Sequence, residues 1–254
     1  MTILGTGGGR PSAERETSCV LVRDSDRALL LDAGTGALRL LSEANLLDSV
    51  ALVDVVLTHF HFDHICGLPY LQWLGIEAAI WAPGAWLYDC ASAEILAPLR
   101  RPPISPTDVS DLPVNELVEG NQSIGGFSVR ASAQPRHWAP SAGLRVDDEF
   151  AYITDTPYEA SSVELARGVR HLLHEAWSTS TAPESQEKDA TAADAACVAR
   201  EADVGDLTLI HFDPRVDDFG PFVEEARLTF NRTAIGQDEM VLTTHPREGD
   251  DLSP

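Results

Sequence analysis

The run Val55-Val56-Leu57-Thr58-His59-Phe60-His61-Phe62-Asp63-His64 constrains this chain more than any other stretch of it. An apolar, strand-like segment leads directly into three histidines and an aspartate within six positions. Extended backbone alternates its side chains between two faces, so His59 and His61 project on the same side. Asp63 and His64 follow where the chain must turn, ahead of a helical stretch around Leu68. The end of a strand carries side chains rigidly to the rim of a sheet, where α/β proteins place their sites. Imidazole nitrogens and carboxylate oxygens are ligands for zinc and similar divalent metals, at about 2.0–2.2 Å for zinc. The block therefore predicts a metal site. The bland alternative, a polar turn, would need three of the eight histidines to gather there by chance.

Around this block, strand-like and helix-like runs alternate for almost the whole length. Apolar β-type runs occupy residues 28–31, 53–57, 78–81, 127–131, 150–153, 172–173 and 207–210. Helix candidates occupy 36–47, 68–74, 86–99, 192–203 and 221–230, the last opening on Pro221, a favoured first helical position. Such alternation implies helices layered on sheet, an α/β architecture. Residues 100–113 are rich in proline and polar side chains and read as a surface loop or lid. Residues 178–190 read as a second exposed loop, and 246–254 as an acidic, frayed tail. No internal repeat is visible. A chain of 254 residues can be one layered α/β unit, so a single domain over 1–254 is predicted.

Charge narrows the partners. Forty acidic residues against eighteen basic ones give −22, and Lys188 is the only lysine. Nucleic-acid binding draws on Lys and Arg at phosphates, so a nucleic-acid partner is disfavoured and a self-repelling, soluble surface is the plain reading. A small anionic substrate stays compatible, because salt screens charges beyond about 8 Å and the field inside a metal site is local. No apolar run reaches the roughly 18 residues of a membrane span. The opening Met1-Thr2-Ile3-Leu4-Gly5 lacks a basic, then apolar, secretion pattern. Cys19, Cys66, Cys90 and Cys197 are scattered with no paired spacing, which fits reduced thiols in a cytoplasmic protein.

The block His59-Phe60-His61-Phe62-Asp63-His64 has the HxHxDH pattern and resembles the metallo-β-lactamase superfamily. Gly5-Thr6-Gly7-Gly8-Gly9-Arg10-Pro11 and Leu31-Asp32-Ala33-Gly34-Thr35-Gly36 are similar to openings of its ribonuclease Z-like branch. So are Thr154-Asp155-Thr156, His174-Glu175-Ala176, His211-Phe212-Asp213-Pro214-Arg215 and Glu224-Glu225-Ala226-Arg227, in the family's order. The resemblance implies a four-layer αββα sandwich. It also implies two divalent metals, zinc foremost, with manganese or iron as alternatives. His59, His61 and His137 would hold one metal; Asp63, His64 and His211 would hold the second; Asp155 would bridge them. His137, Asp155 and His211 each follow an apolar run, as such ligands should. Asp32 resembles the aspartate that supports a ligand histidine from behind, and stands equally as a turn aspartate before Gly34. His171 and His245 match no motif and read as surface or structural histidines.

Two metals about 3.5–4 Å apart activate a water between them for attack on an ester-type bond. Asp63 or Asp155 would take the proton, and His174, Glu175 or a metal-bound water could supply one to the leaving group. Arg215 and Arg145 could clasp an anionic group. Trp177, Trp138 and Trp81 could line an apolar pocket, or serve the core. The resemblance places phosphodiesters of small substrates first, with carboxyl ester or lactone hydrolysis, or cyclisation in a biosynthetic pathway, as the alternative. The chain departs from the RNA-processing members, which carry Gly-His-Ser-Thr where this one has Lys188-Asp189-Ala190-Thr191; it also lacks their basic, glycine-rich insertion. That puts tRNA processing low. Iron redox enzymes of the same fold commonly carry Glu at the place of His61, which argues against that class. Relatives of this type are often homodimers.

Overall fold

Within one five-residue strand, Leu29 and Leu31 pack toward one side while Ala28 and Leu30 pack toward the other, and all four are buried. Burial on both faces is what a central strand of a layered fold requires. The computed structural model describes residues 1–105, 108–182 and 188–243, apart from the side chain of Ala44. Its first sheet runs in sequence order through β1 (Thr2–Gly5), β2 (Cys19–Asp24), β3 (Arg27–Leu31), β4 (Leu52–Val56), β5 (Glu77–Ala82) and β6 (Val114–Glu116). The second contains β7 (Gly120–Ile124), β8 (Phe127–Gln134), β9 (Ser141–Val146), β10 (Phe150–Ile153), β11 (His171–Glu175), β12 (Asp206–Ile210) and β13 (Thr233–Ile235), with β7 and β13 at its edges. Strands β3 to β6 are mutually parallel, as are β10 to β13.

The sheets pack face to face on an apolar middle layer that includes Leu29, Leu31, Val56, Phe127, Leu144, Tyr152 and Ile210. Short pieces flank the first sheet: α1 (Arg39–Ser42), α2 (Phe62–Ile65) and several 3₁₀ turns on its outer face, α3 (Gly84–Tyr88) with Trp86 and Leu87 against the middle layer, and α4 (Ser92–Leu96) on the outer face again. The outer face of the second carries α5 (Ala160–Ala166), α6 (Ala192–Glu201) and α7 (Gly220–Arg227). The result is the four-layer αββα sandwich. Helix α6 starts at a reciprocal capping box between Thr191 and Asp194. Its Ala192, Ala195, Ala196 and Ala199 are all buried, so a small-residue stripe lies close against the sheet.

Several expected elements differ. The helix expected over 36–47 is two 3₁₀ turns flanking α1, broken at Glu43, whose ψ of 71° leaves the helical region. The helix expected over 86–99 divides at Asp89, whose left-handed φ of 52° closes α3. The stretch expected over 68–74 is 3₁₀, with Pro69 near its start. In the described part of 100–113, Val109, Leu112 and Pro113 line a cavity together with Leu52 and Glu77, at the starts of β4 and β5. The tail 246–254 and His245 lie outside the described residues. Among the described residues no helix is long and apolar enough to cross a membrane.

Candidate metal centre

Parallel strands end on the same side, so the C-terminal ends of β3 and β4 in one sheet meet those of β10, β11 and β12 in the other. Asp32 follows β3, His59 follows β4, Asp155 follows β10 and His211 follows β12. Asp32, Asp155 and His211 each adopt positive φ, at 57°, 54° and 54°. Left-handed backbone costs a non-glycine residue roughly 1–3 kcal/mol and gathers where a site demands a particular side-chain direction. Here it turns three side chains off the strand ends. His61 occupies the position just before α2, with Asp63 and His64 in that short helix.

Seven side chains of the resemblance converge. The two carboxylate oxygens of Asp155 divide them. Oδ1 faces His137 Nε2 at 3.4 Å, His59 Nε2 at 3.7 Å and His61 Nδ1 at 3.9 Å. Oδ2 faces His64 Nε2 at 3.1 Å and His211 Nε2 at 3.3 Å. Asp63 Oδ2 completes the second group, 3.3 Å from His64 Nε2 and 3.4 Å from His211 Nε2. Three-residue subsets with donor atoms within 4.8 Å of one another lie on both sides of Asp155. All are buried except His61, whose side chain is 36% exposed and marks the mouth.

Groups behind these donors fix their orientation. Asp32 is fully buried and takes His64 Nδ1 at 2.8 Å, the Thr58 N–H at 2.8 Å and the Tyr152 hydroxyl at 3.0 Å. The Thr58 hydroxyl lies 3.0 Å from His59 Nδ1. Glu175 Oε1 lies 3.5 Å from His211 Nδ1, while its Oε2 accepts the Thr156 N–H. His137 Nδ1 is 3.0 Å from both Asp189 Oδ1 and the Lys188 carbonyl. The Gly9 N–H donates to Asp63 Oδ2 at 2.7 Å. Thr58 could have been suspected from its place beside His59. Nothing marks Tyr152, which reaches Asp32 across 120 residues of sequence.

The electrostatics fit a cation. Burial disfavours charge on His64 and His211, yet the facing carboxylates outweigh it and hold both imidazoles well above their ordinary pKa. Burial also opposes ionisation of Asp63 and Asp155, but the histidines outweigh it and carry both carboxyls well below the usual range. Such a cluster demands positive charge, which bound cations would supply in place of protons. His59 Nε2 is buried and has no hydrogen-bond partner among the described residues, as a nitrogen reserved for a metal would be.

Other expected site residues fall elsewhere. His174 is fully buried, with Nδ1 2.8 Å from the Glu175 carbonyl, and burial lowers its pKa to about 4. It cannot reach a substrate. Glu175 also has no exposed surface and meets the cluster through His211; burial pushes its pKa up to about 7. Arg145 bonds Asp148 and the carbonyls of Leu165 and Arg167, so it ties α5 to its sheet rather than clasping an anion. Arg215 is engaged by Asp213, two residues earlier. Trp177 lies against His211, ring centroids 5.8 Å apart, and over Gly8 and Gly9. Trp138 is exposed, and Trp81 donates to Asp54. The expected loop 178–190 is not wholly exposed: Ser178, Asp189 and Ala190 are buried, while 183–187 lie outside the described residues.

Residues 27–212 match the family model of the β-lactamase superfamily domain. Ribonuclease Z of Mycobacterium bovis (strain BCG / Pasteur 1173P2) is 28% identical over 286 residues, covering 97% of this chain and 99% of that protein. The metallo-β-lactamase fold protein YhfI from Bacillus subtilis superposes with a TM-score of 0.75 at 20% identity, covering 94% of this chain and 96% of that one. A diphosphatase from the PhnP family superposes with a TM-score of 0.72 at 16% identity, covering 96% and 97%. With the family model spanning most of the sequence, the chain belongs to the β-lactamase superfamily.

Proposed function

We propose that this metal-dependent hydrolase cleaves phosphodiester-type bonds in small substrates, using two divalent cations. His59, His61 and His137 would hold one cation, Asp63, His64 and His211 the other, and Asp155 both. The observation that carries this reading is the division of the Asp155 carboxylate, one oxygen toward each histidine group. Zinc suits the nitrogen-rich donor set, and manganese or iron would also be accepted. Bound there, the cations supply an acidified water and a polarised scissile group.

The chain's own residues do the rest. Asp63 and Asp155 stay ionised at neutral pH and present the oxygens that can take a proton. Gly9 holds Asp63 by its N–H, Asp32 holds His64 in orientation, and the Glu175 carboxylate lies 3.5 Å behind His211. His61, at the mouth, sets the side from which substrate arrives. Neither His174 nor Glu175 is exposed, so the protein offers no side chain from that segment to protonate a leaving group. This favours substrates whose leaving group departs as a stable anion, such as a phenolate.

The ribonuclease Z relatives weigh against the expectation that nucleic acid is not a partner, and RNA belongs among the substrates tried. Support for a small substrate comes from the −22 charge and from Asp189, an acid where RNA-processing members carry histidine. The deciding experiment compares bis(p-nitrophenyl) phosphate with a precursor tRNA transcript, using zinc- or manganese-loaded protein and Asp155→Ala as control. Turnover of the small diester, lost in the variant, supports the proposal. Preferential cleavage of the transcript would replace it with an RNA-processing role, and inactivity on both would redirect it to carboxyl esters or lactones.

A further inference from the structure

The two halves of the donor set are built unequally. Asp63, His64 and His211 are all buried, with relative exposures of 8%, 0% and 3%. Behind them stand two carboxylates, Asp32 at 2.8 Å from His64 Nδ1 and Glu175 at 3.5 Å from His211 Nδ1. The other half opens to solvent at His61, and His59 is backed only by a neutral hydroxyl. Its one carboxylate support is Asp189, 3.0 Å from His137 Nδ1 on the segment between β11 and α6, where it shares that nitrogen with the neutral Lys188 carbonyl at 3.0 Å. Nε2 of the same ring points to Asp155 Oδ1.

From this asymmetry we infer that Asp189 is a positioning residue that sets the metal affinity of the outer position, and that the inner position fills first. The inference rests on the ligand assignment proposed above. A carboxylate taking the far N–H of a ligand imidazole fixes its tautomer and rotamer and raises its basicity, and its loss typically costs about 10–100-fold in metal affinity. At the inner position Asp32 gives His64 such a support, Glu175 stands 3.5 Å behind His211, and all three ligands are buried. At the outer position one acts, beside a ligand that solvent can reach.

The test is titration of the metal-free full chain with zinc against a competing chromophoric chelator, with metal analysis after gel filtration. The wild type should bind two equivalents in two resolved steps. Asp189→Asn should weaken the second step by about 10–100-fold and leave the first unchanged. Thr191→Ala removes the α6 cap without touching His137 and should keep both steps. If the asparagine variant does not fold, Asp189→Glu, which keeps the charge but displaces it, makes the same comparison. Two equal steps in the wild type, an unaffected variant, or a variant weakened equally at both positions would each overturn the inference. Two-step binding without turnover of any ester would leave it standing and remove the hydrolase reading instead.

Discussion

Asp32 Oδ2 stands 2.8 Å from His64 Nδ1, and neither side chain has any exposed surface. Asp32 also receives the Thr58 N–H and hydroxyl and the Tyr152 hydroxyl, so one carboxylate just past β3 collects donors from the segment after β4, from α2 and from β10. Asp32→Asn keeps the shape but turns one acceptor into a donor facing donors. Removing one member of a buried charged pair costs about 3–5 kcal/mol. Urea denaturation should show a loss of that order, and metal analysis a weaker inner position. A variant with wild-type stability and metal content would show that this carboxylate is not what holds His64.

Gly8 marks a second dependence. A Cβ there would lie 2.7 Å from both His211 Cε1 and Trp177 Cζ3. These are side-chain atoms, so Gly8→Ala should fold, with overpacking costing about 1–3 kcal/mol. The displaced ring is the proposed ligand, and a shift of about 1 Å near reacting groups can cost roughly 100-fold in rate. Turnover should therefore fall far more than melting temperature. Equal, small losses in both would mean that Trp177 alone moves.

The sequence made the site more legible than the fold around it. His59 to His64 are contiguous, and Asp155 and His211 each follow an apolar strand, so their motifs lie in local sequence. Strands such as Gly120-Asn121-Gln122-Ser123-Ile124 and Ser141-Ala142-Gly143-Leu144-Arg145-Val146 lack a clear apolar run and were not expected; cross-strand pairing with β8 defines them. The role expected of His174 came from a motif that does not say which of two adjacent side chains faces the site, and that of Arg145 from residue type alone. In an extended strand His174 and Glu175 must face opposite ways, and only Glu175 turns toward His211. Arg145 is an ion-pairing cation whose partners come from α5 and a neighbouring turn, which no local pattern reveals.

His174 also gives a pH signature distinct from the metal site. Its folded pKa is about 4, lowered by burial, against the ordinary value of 6.5. Between those values the unfolded chain binds the extra proton, so stability falls as pH drops from about 6.5 toward 4. The full loss approaches roughly 3 kcal/mol. Urea denaturation across that range should show a shallower acid decline for His174→Leu than for the wild type. Parallel curves would mean that the buried ring is not neutral.

Asp63 and Asp155 lie at the junction of the two sheets with Asp32 and Glu175 behind the histidines, none more than 8% exposed. Held so close, these carboxyls rely on positive charge, from protons on His64 and His211 or from cations. Cations that bind only the folded chain stabilise it by mass action, about 4 kcal/mol at a free concentration 1,000 times the dissociation constant. For a chain of this size that corresponds to roughly 8–16 °C in melting temperature. Chelation should thus lower the melting temperature, and zinc or manganese should restore it. In Asp155→Ala, where the shared carboxylate is gone, the same cycle should produce a much smaller shift. A melting temperature indifferent to chelator in wild-type protein shown by metal analysis to be loaded would mean that the bound ions lie outside the convergent side chains. A full shift in Asp155→Ala would assign the binding to the remaining donors alone and remove the bridging role.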